Sequence, residues 1–186
     1  MQQRAFTVQF DRLMRVSLTK VGVCLPVTPE EAQVQKIQVN QYVAIWDTGA
    51  THSAITRKVA DELGLKPTGI AEVRYGSGKQ IANTYLVNIS LPNGVMVGQV
   101  RVTEAQLIPD DNIPEAKQPQ VLIGMDIIGM GDFAVSNADS KTMLSFRIPP
   151  VREIDFVPEA NESNMMDSGN RHDRRSFEAK KRKGLI

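Results

Sequence analysis

Apolar residues over the first 150 positions recur in short runs at the two-residue spacing of strands, broken at close intervals by turn residues. The pattern predicts strands at Phe6 to Phe10, Leu13 to Leu18, Val21 to Leu25, Ile37 to Trp46, Ala71 to Tyr75, Gln80 to Leu91, Val95 to Val102, Gln120 to Ile123, Phe133 to Ser136 and Thr142 to Phe146. One helix interrupts them. Ser53 stands where a cap belongs, Ile55, Val59 and Leu63 follow at four-residue spacing, and Gly64 takes the left-handed position that ends a helix. A second, short helix is expected from Met125 to Gly129. Asn93-Gly94 predicts a hairpin of the two-residue type between two long strands, and Tyr75-Gly76-Ser77-Gly78-Lys79 predicts another hairpin tip, where two glycines leave the backbone free. The expected class is all-β with one or two short helices.

After Pro150 the periodic pattern stops. An acidic stretch (Glu153, Asp155, Glu159, Glu162, Asp167) is followed by a basic end (Arg171, Arg174, Arg175, Lys180 to Lys183). Such a segment buries too little apolar surface to offset chain ordering, so the expectation is one folded domain over residues 1–150 and a charged tail over 151–186, disordered or at most transiently helical.

With 41% hydrophobic residues the chain has enough apolar content for a core, and a formal net charge of +1 gives no general pull toward nucleic acid or membrane. The basic end is the one candidate for a polyanion. The single cysteine, Cys24, sits among Val21, Val23 and Leu25 and reads as a buried strand residue; no intrachain disulfide is possible. No secretory leader is evident at Met1 to Phe6 and no run of about twenty apolar residues occurs, so a cytoplasmic location is expected. His52 and His172, the only histidines, are not in ligand spacing with one another or with Cys24, so no metal and no cofactor is expected.

The residue that asks for a chemical explanation is Asp47. Tyr42-Val43-Ala44-Ile45-Trp46 is a continuous apolar run, as in a strand buried on both faces, and it ends abruptly at Asp47-Thr48-Gly49-Ala50. A carboxylate beside a buried strand is costly unless something pairs with it or uses it. In isolation Asp-Thr-Gly reads as an ordinary turn. Its setting changes that reading: apolar strand, Asp-Thr-Gly-Ala, Ser53, helix, glycine-tipped hairpin, then Val121-Leu122-Ile123-Gly124.

Trp46-Asp47-Thr48-Gly49-Ala50-Thr51-His52-Ser53 and Val121-Leu122-Ile123-Gly124-Met125-Asp126 resemble the two hallmark segments of the retropepsin-like aspartic proteases, and the resemblance covers roughly Ile37 to Phe146. It implies an acid-protease β-barrel active as a twofold homodimer, since the chain has one Asp-Thr-Gly and the chemistry needs two carboxylates. It further implies that Asp47 is catalytic, that Thr48, Gly49 and Ala50 support it, and that Tyr75, Gly76, Ser77 and Gly78 form a flap over an extended peptide or protein substrate. Gly124 would be a packing residue under the aspartate loop. Where many viral members carry acidic residues after the alanine, this chain has Thr51 and His52, so substrate contacts do not carry over. His52 reads as structural or as part of a subsite, and Asp126 as structural, with an arginine such as Arg57 as a possible ion-pair partner. Two other readings stay open: a weak or inactive peptide-binding dimer of the same fold, and a scaffold whose basic tail binds a polyanion.

Overall fold

A computed structural model describes residues 2–28, 31, 37–75, 78–107, 114, 118–167, 175, 179–180 and 182–183. The chain divides into two units, residues 1–150 and 151–186. The first holds β1 (Arg4–Phe10), β2 (Ser17–Cys24), β3 (Asn40–Trp46), β4 (Ala54–Ile55), α1 (Arg57–Glu62), β5 (Gly69–Tyr75), β6 (Gly78–Ser90), β7 (Met96–Glu104), β8 (Val121–Ile123), α2 (Met125–Ile128), β9 (Asp132–Ala138) and β10 (Lys141–Ile148). It is mostly β with short helices, the class the apolar alternation predicts.

Seven strands form one sheet in the order β2-β3-β8-β4-β7-β6-β5, and β2 also pairs with β6 through Gly22↔Ser90, Val23↔Ile89 and Cys24↔Asn88. That last pairing closes β2, β3, β8, β4, β7 and β6 into a barrel, with β5 extending from β6 as a hairpin arm. Closure buries the inward row completely: Val21, Val23, Ala44, Val87, Ile89, Val102, Val121 and Ile123 are each at most 1% exposed. The pairing that matters most for the site is β3 with β8. It is parallel, in the register Ala44↔Val121 and Trp46↔Ile123, so the residues leaving both strands, Asp47 and Gly124, emerge side by side.

A three-stranded sheet, β1-β10-β9, covers the barrel beside Trp46. Its register aligns Phe6 with Phe146 and Phe146 with Phe133. The three rings surround the indole at centroid distances of 5.7, 5.2 and 5.7 Å, Phe133 stacking on it and the others tilted. The indole N–H donates to Thr19 Oγ1 at 2.8 Å, so the buried polar atom is satisfied and the end of β3 is fixed.

Several local expectations are corrected. The strands expected at Leu13 to Leu18 and Val21 to Leu25 are one strand, β2, because Thr19 and Lys20 find ladder partners in Ala44 and Val43 of β3 rather than turning. The outer face of β3 is only partly covered, at Val43 and Ile45, instead of buried. Asn93-Gly94 does join β6 to β7, but through a three-residue loop: Leu91 N–H donates to the Val95 carbonyl, Gly94 N–H to the Leu91 carbonyl, and only Gly94 has positive φ. Pro92 sets the φ of the turn's second residue and Gly94 supplies the left-handed one, a type I turn with a bulge. Gly64 does end its helix at φ +63°, as expected.

The second unit contains α3 (Val157–Asp167), within the stretch whose composition favours disorder or transient helix. The Asp155 carboxylate accepts the Val157 N–H at 2.9 Å, and Glu159 lies in the first turn, where negative charge opposes the helix dipole favourably.

Candidate active site

The site is built on the loop that leaves β3. Asp47 N–H still belongs to the sheet, donating to the Ile123 carbonyl at 3.0 Å, while the next residues turn sharply: Ala50 N–H donates to the Asp47 carbonyl and Gly49 N–H to Asp47 Oδ1 at 2.8 Å. The carboxylate is therefore oriented by its own loop. A Cβ at position 49 would lie 3.2 Å from that same oxygen, so a side chain there would push on the carboxylate. Asp47 is half-buried; Thr48 and Gly49 are exposed.

The loop is anchored from below by the segment that leaves β8. Met125 N–H and Asp126 N–H donate to the carbonyls of Ala50 and Thr51 at 2.8 and 3.2 Å. The two backbones touch at Gly124, where a Cβ would meet the His52 carbonyl carbon at 2.6 Å and the Ala50 oxygen at 3.0 Å. Only glycine permits that approach.

Ser53 completes the anchor in a way the sequence pattern did not indicate. It is fully buried and does not cap a helix; Ile55 lies in β4, and α1 starts after Thr56, whose hydroxyl donates to Gln120 Oε1 at 2.6 Å. Ser53 instead donates twice to Asp126, from its N–H at 2.9 Å and from its hydroxyl at 2.7 Å, while the hydroxyl accepts the Gly124 N–H at 3.1 Å. The pairing of Asp126 with Arg57 does not occur. Asp126 is satisfied by Ser53 and by the N–H of Ile127, and Arg57 lies beside Asp61 and Glu104, at 3.4 and 3.7 Å.

Above the loop opens a cleft of about 620 Å³ lined by Asp47, Gly49, Ala50, Thr51, His52, Ala54 and Leu122, by Ala71, Glu72 and Val73 of β5, and by Thr84, Arg101, Thr103 and Ala105. The β5–β6 hairpin is one wall. Its register carries to Tyr75↔Gly78, and Gly76 and Ser77 of the expected flap tip lie outside the described residues. Arg101, Thr103 and Glu72 were not singled out from sequence. The available signal was a phase shift: the apolar alternation of β7 runs through Val95 and Val97, then through Val100 and Val102, with Gly98-Gln99 between. Next to the cleft, the Tyr85 hydroxyl donates to Glu104 at 2.6 Å and holds that carboxyl below its usual range; burial opposes this, and Asn83 at 3.3 Å and Arg57 at 3.7 Å reinforce it. Among the described residues no group of three or more His, Cys, Asp or Glu is arranged to hold a metal ion, and no helix is long and apolar enough to cross a membrane.

The aspartyl protease family profile matches residues 31–127. No curated protein matches the chain. Among solved structures, a retropepsin-like aspartic protease from Rickettsia conorii aligns over 79% of this chain and 96% of that one, with 15% identity and a TM-score of 0.43, a likeness too loose to carry an argument. The family match spans more than half of the chain and takes in both the Asp47 loop and the segment from Val121 to Gly124 that holds it. The chain belongs to the aspartyl protease family and carries a single Asp-Thr-Gly.

Proposed function

We propose that this chain is one subunit of a homodimeric aspartic endopeptidase in which Asp47 of each copy supplies half of the catalytic pair. The observation that carries the reading is the placement of Asp47: a half-buried carboxylate, held by Gly49 N–H at the end of a strand whose inner face is buried, on the floor of a cleft large enough for peptide side chains. One carboxylate is chemically insufficient. Two that meet across a twofold axis share one proton, because like charges that close do not both ionise easily.

In that arrangement the ionised Asp47 takes a proton from a water whose oxygen bonds to the peptide carbonyl carbon, while the protonated Asp47 gives its proton to the carbonyl oxygen. The tetrahedral diol collapses when the Asp47 that took the water's proton gives it to the peptide nitrogen, the other Asp47 takes a proton from a diol hydroxyl and the C–N bond breaks, which leaves the pair sharing one proton again. No covalent enzyme adduct forms. Thr48, exposed at the loop tip, would bond to the partner loop; Gly49 and Ala50 leave room for substrate backbone; Gly124 packs beneath. Tyr75, Gly76, Ser77 and Gly78 would close as a flap over an extended peptide. Residues 1–150 would be the protease domain and 151–186 a tail outside it. A cytoplasmic setting belongs to the same proposal, and the buried lone thiol of Cys24 supports it.

Cleavage of a mixed peptide library by wild type and by Asp47→Asn, with sedimentation to give the mass of the active species, tests this reading. The substitution should lower kcat/KM at least about a thousandfold. Equal product from both proteins, or hydrolysis by a strictly monomeric chain, would sink it.

A further inference from the structure

The cleft above Asp47 carries a charge that the hydrolytic chemistry does not use. Four ionisable side chains line it: Asp47, His52, Glu72 and Arg101. Glu72 lies 3.0 Å from Lys79, so its charge is already opposed. Arg101 presents a guanidinium, is exposed, and has no carboxylate within ion-pair distance among the described residues. A guanidinium without an ion-pair partner among the described residues, on the wall of a peptide-sized cleft, is a fork of donors that matches a carboxylate.

Its placement follows from a specific backbone feature. β6 presents Tyr85, Val87 and Ile89 to the core, and the ladder with β7 shifts between Val87 and Ile89: Ile89 pairs with Val97, but Val87 pairs with Val100. Had the first register continued, Tyr85 would face Arg101 and the arginine would point into the core. The extra residue on β7 makes Val102 the partner of Tyr85 and turns Arg101 and Thr103 to the cleft. This bulge is held by buried Asn88, which accepts the Gln99 N–H at 2.8 Å and donates to the Val27 carbonyl at 3.0 Å, with Gln99 at φ +54°.

We infer that Arg101 makes this cleft select peptides that carry an acidic side chain, Asp or Glu, at the position that lies against β7. The inference deepens the peptidase reading and rests on it for the meaning of the cleft, but its test does not require cleavage.

Peptide binding is measured by fluorescence anisotropy on the full chain carrying Asp47→Asn, using matched peptides with glutamate or glutamine at each position in turn. For at least one position the glutamate peptide should bind about three- to tenfold more tightly, as expected for a partly exposed charge pair. Adding Arg101→Ala should abolish that ratio by weakening the glutamate peptide more than the glutamine peptide. Adding Arg101→Glu should turn the preference toward lysine, and raising salt should shrink it. Equal binding within every pair, a ratio that survives Arg101→Ala, or no peptide binding at all overturns the inference. Hydrolysis of the same peptides by wild type is scored separately: an acidic preference without hydrolysis supports the Arg101 assignment and counts against the endopeptidase reading.

Discussion

Replacing Ser53 by alanine is the sharpest probe of what holds the aspartate loop. The hydroxyl makes two bonds in a site with no solvent access: it donates to Asp126 Oδ1 at 2.7 Å and accepts the Gly124 N–H at 3.1 Å. Alanine fits the space, so the loss is confined to these bonds. Asp126 retains the N–H of Ser53 at 2.9 Å and that of Ile127 at 3.0 Å, whereas the buried Gly124 N–H is left without an acceptor. An orphaned buried donor costs about 1–3 kcal/mol and a lost bond to a carboxylate about 1.5–3 kcal/mol; allowing for partial relaxation, the sum is about 2–4 kcal/mol. At a urea m-value of about 2 kcal/mol/M, the unfolding midpoint should fall by roughly 1–2 M with m unchanged. Wild type and variant are compared at one protein concentration, because association would shift both midpoints. Thr51→Ala, an exposed change two residues away, is the control and should stay within about 0.5 kcal/mol. If Ser53→Ala is no worse than that control, the Ser53 bridge does not anchor the loop and the reasoning fails.

Gly124→Ala should be severe, because the new methyl meets backbone atoms of His52 at 2.6 and 2.8 Å that cannot swing away; a loss of about 2 kcal/mol or more is expected in the same urea assay. Gly98→Ala, whose nearest neighbour would be 3.7 Å away, should be within about 1 kcal/mol of wild type, and comparable losses at the two glycines would refute the contact argument. Tyr85→Phe removes the main cause of the lowered Glu104 pKa. A carboxyl held below its ordinary value near 4.5 contributes stability above that pH and loses it as the pH falls through the folded value. The variant should therefore show a shallower decline of urea midpoint between about pH 5 and pH 3, and an unchanged or steeper decline would contradict the assignment.

What the sequence made legible, and what it hid, divides by the range of the interactions involved. Asp47 stood out because its signal is local: an apolar strand that stops at a charge followed by Thr48 and Gly49, with the Gly49 N–H bonded back to the carboxylate only two residues away. Gly64 and the Met125 helix were local in the same sense. Ser53 was misread because its serine-before-helix pattern is a genuine cap signal that lost to a partner seventy-three residues distant, and no local propensity encodes Asp126 Oδ1. The same bond explains why the helix starts later than its apolar spacing implies: with Ser53 turned toward α2, Ala54 and Ile55 are drawn into a short strand between β8 and β7.

Arg101 belongs to a third category, present in the sequence but meaningful only with the pairing known. The change of phase at Gly98-Gln99 says that β7 is bulged, yet whether the re-aimed face looks at solvent or at Asp47 depends on β7 lying beside β4, and β4 beside β8, around a closed barrel. Barrel closure through β2 and β6 is likewise a long-range fact, and it is what brings the parallel β3–β8 pair and the β5–β6 hairpin to the same opening. The carboxylate proposed to do the chemistry can thus be found by reading along the chain, whereas the side chains proposed to choose a substrate come from strands far apart in sequence and become a set only once the register of each pair is fixed.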